Sequence, residues 1–353
     1  MAVKGSLIRH VRTFGAILRS RLLHRRIPVI ANILITNRCN LRCFYCYPDS
    51  FNRALEDMPL ADFKRIIDLV HAKGSRVVVL LGGEPLIRKD IGEFIGYVRA
   101  KGMACEVVTN GFFVPQRLDA LKNADSVCVS IDGDEEANDK NRGKGSFRKA
   151  MEAIELLQAS GIHTRIKAVI TRNNLRSIDF LARLARERGM VLMAIIPTTY
   201  EDRVYPDGVA AQWLSQEEYR AFVIKLIGLK KDGYPIFHSY RALRYCRDWP
   251  YPYDEIVTGK RLKNGARAIP CTAWEYGIFI DVDGRFFMSC LKTFDIQGRK
   301  ILETDFDDWW ISQRRFGCTT CALLPNIEKS LVYNMHPGAL WNMVRMALWR
   351  GGR

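Results

Sequence analysis

Apolar residues along the chain follow two alternating rhythms. Short runs rich in Val, Ile and Leu fall near 29–35, 76–81, 104–109, 125–131, 163–170 and 190–196. Between them lie stretches with apolar residues three and four apart, such as Asp62 to His71 and Phe147 to Ala159. The first rhythm predicts buried strands and the second amphipathic helices. Six strand–helix repeats predict an α/β fold with a parallel sheet and crossover helices. Periodicity fits two such arrangements, a doubly wound sheet and an incomplete barrel. Both place chemistry at the C-terminal ends of the strands. Later in the chain, Gly277 to Cys290 alternates around Asp283-Gly284, which predicts a β-hairpin. Tyr234 to Pro270, rich in Tyr, Arg and Pro, is the least regular stretch and reads as a bridge between domains and part of an active-site rim.

The loop after the first strand changes the picture. Cys39, Cys43 and Cys46 form a C-x3-C-x2-C cluster, and Asn40, Arg42 and Tyr45 give the loop a polar character. With 10 Cys in 353 residues, this spacing arises by chance in about 1% of such chains. Iron–sulfur clusters take thiolates, usually four of them. Three thiolates leave one iron open, by the logic that separates catalytic from structural zinc sites. A structural zinc site or buried thiols are the bland alternatives.

Other strand ends carry chemistry of their own. The run from Arg76 ends in Gly82-Gly83-Glu84-Pro85, where glycines let backbone approach a ligand and proline stops the strand. Thr109-Asn110-Gly111 follows the third strand and by itself signals only a turn. On the fourth, alternation puts Ser130 and Asp132 on one face, suited to a ribose or a carboxylate-bearing ligand. Arg142-Gly143-Lys144-Gly145-Ser146-Phe147 opens the next helix, with Ser146 expected as its N-cap. Ile170 to Asn174, including Thr171 and Asn173, ends the fifth strand.

These motifs, in this order, resemble the radical S-adenosylmethionine (SAM) superfamily over about 28 to 325. The resemblance implies a six-stranded partial (β/α)6 barrel and a SAM-binding 4Fe-4S cluster on Cys39, Cys43 and Cys46. There the methionine end of SAM chelates the open iron, and reductive cleavage yields a 5′-deoxyadenosyl radical. It also implies a SAM pocket from Tyr45, Gly82, Gly83, Glu84, Pro85, Thr109, Asn110, Ser130, Asp132, Arg142, Thr171 and Asn173. An electron donor such as flavodoxin or ferredoxin is implied with it. Where relatives often carry His-Asp before that arginine, this chain has Asn138-Asp139, so neither receives a catalytic role.

A second group comprises Cys271, Cys290, Cys318 and Cys321, with Cys246 upstream as an alternative ligand. A hairpin plus a C-x2-C knuckle holds zinc or an iron–sulfur cluster equally well on spacing. The order resembles the SPASM/twitch extension of radical SAM enzymes, which implies an auxiliary 4Fe-4S cluster. No Cys follows Cys321, so the shorter, single-cluster twitch form fits better. Cys105 and Cys128 read as buried strand thiols. The expected organisation is 1–27 a basic amphipathic helix, 28–235 the barrel, 236–325 the bridge and auxiliary domain, and 326–353 a second basic helix.

Hydrophobic residues make up 48% of the chain, enough for a large domain and a smaller one. Ten Cys without a secretory signal point to metal binding in a reducing, cytoplasmic setting. No apolar stretch reaches the ~20 residues of a membrane span. The net charge of +16 is uneven: no acid precedes Asp49 and none follows Glu328. Leu7, Val11, Phe14, Leu18 and Leu22 form one helical stripe, and Leu340, Trp341, Val344 and Leu348 another. Basic amphipathic ends fit either packed helices with solvated faces or docking on an anionic, inner membrane face. Nucleic acid is disfavoured, because RNA-module strand patterns are missing.

Three functions follow. The first is hydrogen abstraction from a small-molecule or lipid-like substrate, leading to oxidation or bond formation. The second is maturation of a ribosomally made peptide, although too few residues precede the first strand for a leader-binding domain. The third is a non-catalytic metal scaffold.

Overall fold

The structure, a computed structural model, describes residues 13–23, 25–46, 55–197, 210–255, 257, 262–288, 290, 298–312 and 319–349. Cys318, Leu7, Val11, Arg350 and Arg353 lie outside the described residues. The six expected strands are all present: β1 (Ile30–Leu34), β2 (Val77–Leu81), β3 (Ala104–Thr109), β4 (Ser126–Ser130), β5 (Thr164–Val169) and β6 (Leu192–Ile195). They pair in parallel, each with its sequence neighbour.

Burial decides between the two candidate arrangements. Along β2, β3, β5 and β6 every second residue is buried and its neighbours are half-exposed. The buried set, including Val78, Leu80, Val107 and Ile166, shares one core with the helices. Helix Leu60–Ala72 contributes Phe63, Ile66, Ile67 and Val70, and helix Ile91–Ala100 contributes Ile91, Phe94, Ile95 and Val98. Phe63 and Phe94 meet with ring centroids 4.5 Å apart. Each such side chain stabilises the fold by about 1.5–3 kcal/mol. Helices thus cover one face only, and the strand order runs without reversal from β6 to β1. A doubly wound sheet needs helices on both faces and a switch point. This is the arc of a partial barrel, with a half-exposed concave face.

The sheet does not end at β1. The expected hairpin forms β7 (Gly277–Ile280) and β8 (Arg285–Met288), turning at Gly284, whose φ of 80° suits glycine. β7 pairs in parallel with β1, so the hairpin and the short β9 (Arg299–Lys300) extend the barrel's own sheet. At the other edge, β6 is bordered by Pro235 to Phe237 through two backbone hydrogen bonds of 2.9 Å to Leu192. Among the described residues no helix is long and apolar enough to cross a membrane.

Both terminal helices pack mainly by residues outside the predicted stripe, although Leu340 of the second rests on the core. Over 13–22, Ile17 and Ser20 are buried while Leu18 and Leu22 point outward. In helix Pro337–Ala347, Ala339, Asn342 and Met346 are buried. Asn342 donates to Phe237 O at 2.7 Å, which fixes that side inward. Trp341 stays 70% exposed and Leu348 68%.

Candidate active site: a cysteine loop held by a buried carboxylate

The Cys loop leaves β1 at the C-terminal edge of the barrel and is fixed first by backbone. Gly83 N–H donates to Thr36 O at 2.9 Å and Glu84 N–H to Arg38 O at 2.8 Å. A Cβ on Gly82 would lie 2.7 Å from Thr36 O, and one on Gly83 would overlap Arg38 O. The close approach that these glycines permit is therefore to the Cys loop itself. Pro85 opens a single 3-10 turn capped by Glu84, which accepts from Leu86 N–H at 3.0 Å.

Glu84 also accepts from Thr109 Oγ1 at 2.8 Å and Asn110 N–H at 2.7 Å. Burial pushes its carboxyl up to about 7 against those donors. Asn110 Nδ2 in turn donates to Asn40 Oδ1 at 2.9 Å. Glu84, Thr109 and Asn110 thus knit the ends of β2 and β3 to the Cys loop. Within the loop, Leu41 N–H points at Cys39 Sγ at 3.4 Å and Cys46 N–H donates to Cys43 O at 3.0 Å. Burial pushes the Cys39 thiol up to about 11 and raises Cys43 as well, opposed in both by Arg142.

Asp132 is the hub of the site. Its carboxylate accepts from Tyr45 Oη, from Arg142 at 3.0 Å and from Val169 N–H at 2.9 Å. Arg142 Nε stands 2.9 Å from the second oxygen, placed for charge pairing but out of line for a hydrogen bond. Asp132 is fully buried, and its backbone is held by Asn138 Oδ1 and Asn174 Nδ2 at 2.9 and 2.7 Å. Arg142 also lies over the Tyr45 ring, 5.7 Å from its centroid. One carboxylate therefore joins the ends of β4 and β5 to the aromatic residue between two cysteines.

The remaining predicted residues sort themselves around this hub. Ser130 faces the concave side, in register with Lys167. Thr171 is buried, its hydroxyl on Asn174 Oδ1 at 3.2 Å, and Asn173 reaches Asn141 at 3.2 Å. Ser146 is not the N-cap expected. Gly145 takes that position with φ 82°, and Asp139 caps the helix by accepting from Phe147 N–H at 2.8 Å. Ser146 Oγ instead donates to Asp139 at 3.1 Å and accepts from Asn138 at 2.8 Å. Asn138-Asp139 is thus the scaffold behind Asp132. Sequence reasoning missed Trp213, which stacks on Phe44 with centroids 6.3 Å apart and packs on Tyr45. Nothing in the local pattern flags it, because a separate turn carries it.

The second Cys group lies at the opposite edge of the sheet. β7 begins, and β8 ends, at the N-terminal edge of the parallel strands, placing Cys271 and Cys290 there. Burial raises the Cys321 thiol well above its usual value, and nearby Cys271, Cys290 and Cys246 add to it. Asn326 Nδ2 reaches Cys290 Sγ at 3.6 Å. Cys246 is fully buried and donates to Ala322 O at 3.4 Å, a thiol behind Cys321. Cys105 and Cys128 are buried as expected. Among the described residues no three His, Cys, Asp or Glu side chains converge on a single-ion site. Both groups supply soft thiolates, the donor set that iron–sulfur clusters take, and both have nearby N–H donors.

A one-sided barrel arc with a three-cysteine loop at its C-terminal edge defines a class of cofactor-dependent enzyme, and the comparisons name it. Residues 33–185 match the family described as the radical SAM superfamily, and this stretch of the chain is a radical SAM domain. Its cofactors are a 4Fe-4S cluster and SAM. The chain is 29% identical to the Fe-coproporphyrin III synthase of Methanosarcina barkeri, across 70% of this chain and 67% of that one. It is 34% identical to the mycofactocin maturase MftC of Mycolicibacterium smegmatis, across 47% of this chain but 43% of the maturase. The fold is similar to that of Streptococcus suis SuiB, solved with bound S-adenosylmethionine, at TM-score 0.64 and 17% identity, covering 83% of this chain and 67% of that one.

The hub makes a direct prediction. Asp132→Asn keeps the shape but strands the Arg142 guanidinium, at a cost of about 3–5 kcal/mol. Gly83→Ala forces the Cys loop away from β2. Anaerobic reconstitution should leave both variants short of iron relative to wild type. Full iron loading with weakened SAM binding alone would instead make these residues direct ligand contacts.

Proposed function

We propose that this chain cleaves SAM and uses the product to abstract hydrogen from a small-molecule substrate seated on the concave face. The observation that carries this reading is the Cys loop's position at the rim of that half-exposed face. Bound there, the cluster and SAM would supply an electron and a 5′-deoxyadenosyl radical. Cys39, Cys43 and Cys46 would hold the cluster. The Gly82–Pro85 segment, Thr109, Asn110, Thr171 and Asn173 would shape the SAM pocket above it, with Ser130 at its floor. Asp132, Arg142 and Tyr45 would hold the pocket's walls in place, and Trp213 would exclude water behind them. Cys271, Cys290, Cys318 and Cys321 would hold an auxiliary 4Fe-4S cluster at the opposite edge. Four thiolates would saturate it and suit it to electron relay. A flavodoxin or ferredoxin in a reducing cytoplasm would be the electron source.

A small-molecule substrate is supported by the Methanosarcina relative, whose alignment runs through 70% of this chain. Peptide maturation is the second reading, supported by the 34% identity to a maturase. Because these alignments leave a third or more of each relative uncovered, neither activity transfers as a whole. Membership of an enzyme superfamily argues against the scaffold reading.

We further propose reversible docking on an anionic membrane face. Trp341, Val344 and Leu348 form an exposed apolar line on helix Pro337–Ala347. Trp341 borders a cavity of ≈ 430 Å³ that Lys230, Arg241, Arg244 and Arg345 surround with positive charge. Tryptophan beside arginine suits a membrane interface, where each cation contributes about 1 kcal/mol.

Two outcomes are expected. Anaerobically reconstituted protein should carry about eight irons, and a Cys39/Cys43/Cys46 triple Ala variant about four. That variant should form no 5′-deoxyadenosine under strong reductant. Four irons plus zinc in the wild type would remove the auxiliary cluster. In co-sedimentation, wild type should pellet with anionic but not neutral liposomes, and Trp341→Ala with Leu348→Ala should abolish it. Equal pelleting of both proteins would return this helix to a packing role.

A further inference from the structure

Three helices enclose the cavity of ≈ 430 Å³ that Trp341 borders. Lys230 comes from the end of helix Gln216–Lys231, Arg241 and Arg244 from helix Tyr240–Arg247, and Arg345 from helix Pro337–Ala347. The frame around them is tied down by hydrogen bonds. Lys230 Nζ donates to Ile236 O at 2.6 Å, and Asn342, also in the lining, holds Phe237 O. Buried Glu328 braces two of the helices. It accepts from the N–H and Oγ of Ser239, the cap of helix Tyr240–Arg247, at 2.8 and 2.7 Å. Its other oxygen lies 3.4 Å from Asn342 Nδ2.

The charge facing this cavity has one sign. Four cations line it and, among the described residues, no acid does. Arg241, Arg244 and Arg345 make no ion pair among the described residues. Lys230 and Arg244 converge on the same Tyr240 ring, 5.7 and 5.6 Å from its centroid. Lys230 is only 3% exposed, and the Ile236 carbonyl is its one hydrogen-bond partner among the described residues. Burial pushes its ammonium down to about 8, with Glu328 opposing and Arg345 reinforcing the shift. Gly338, in the first turn of helix Pro337–Ala347, also lines the cavity, so unpaired N–H groups of that helix end lie beside it.

We propose that this cavity binds a phosphate monoester, with Lys230 at its base and the guanidinium groups of Arg241, Arg244 and Arg345 around its mouth. Like charges gathered on one space repel, and a buried ammonium is costly unless it is paired. A bound anion relieves both costs. Three guanidinium forks and one ammonium exceed what a single carboxylate can satisfy, whereas a monoester brings nearly two charges and three terminal oxygens. The volume falls within the range of small-ligand sites. Trp341, 70% exposed beside the cavity, offers an apolar face to the group that carries the phosphate. That carrier is either a soluble phosphate ester or a lipid with a monoester headgroup. The lipid source rests on the docking reading above; the site does not. Diffuse attraction to an anionic membrane needs basic residues but no cavity, so the two are separable.

Calorimetry and co-sedimentation on the full-length, anaerobically reconstituted protein test this. The soluble probes are glycerol 3-phosphate and glycerol. The vesicles are phosphatidylcholine carrying phosphatidic acid, a monoester, or phosphatidylglycerol, a diester, matched in surface charge. Wild type should bind glycerol 3-phosphate and not glycerol, or prefer phosphatidic acid vesicles to phosphatidylglycerol ones, or both. Arg244→Met and Arg345→Met should each weaken that binding about tenfold or more. Both side chains are exposed, so neither change disturbs the core. Glycerol 3-phosphate binding alone would assign a soluble phosphate ester, and phosphatidic acid preference alone a lipid headgroup. No glycerol 3-phosphate binding together with equal pelleting on the two vesicles would overturn the site. Glycerol bound as tightly as its phosphate, or affinity unchanged in both variants, would overturn it too. Loss of all vesicle binding would sink the docking reading and leave the site to stand on glycerol 3-phosphate.

Discussion

Asp132 carries three obligations at once: it neutralises Arg142, accepts Val169 N–H from the neighbouring strand and receives the Tyr45 hydroxyl. A fully buried carboxylate is costly unless each oxygen is satisfied. Meeting that demand fixes β4, β5 and the loop between Cys43 and Cys46 relative to one another. Glu84 does the same for β2 and β3 by accepting from Leu86, Thr109 and Asn110. Two buried carboxylates therefore hold the rim of the barrel, and the three thiols rest on that frame. The result is a rigid platform, as a site that must place ligands within fractions of an ångström requires.

The sheet's direction accounts for the rest of the layout. Parallel strands send all their C-terminal ends to one edge, where the Cys loop sits. The antiparallel return of β8 sends Cys290 to the other edge, beside Cys271. The hairpin's addition to β1 makes the C-terminal segment a continuation of the barrel instead of an appendage.

Much of this is legible in the sequence. Strand positions are readable because the outward residues, such as Val78 and Leu80, must be apolar to meet the helices. Asp283-Gly284 announces its hairpin through local turn chemistry. The choice of barrel over doubly wound sheet is not legible, because it depends on which faces the helices cover. Gly83 looks like a ligand-facing glycine, but the clash it avoids is with Arg38, far away in sequence. Asp132 looks like a free ligand until its three partners are placed. Ser146 reads as a cap by residue type alone, and the competing carboxylate of Asp139 takes the role. Trp213 reaches the site by tertiary folding, which periodicity does not encode.

Held by the three thiolates of Cys39, Cys43 and Cys46, a 4Fe-4S cluster would keep one iron open for SAM. Electron–nuclear double resonance tests it directly, on reduced, anaerobically reconstituted protein with SAM carrying nitrogen-15 at its methionine amino group. A nitrogen coupling to the cluster is expected, and it should vanish in Cys43→Ala. A reduced-cluster spectrum unchanged by SAM, with no nitrogen coupling, would contradict it.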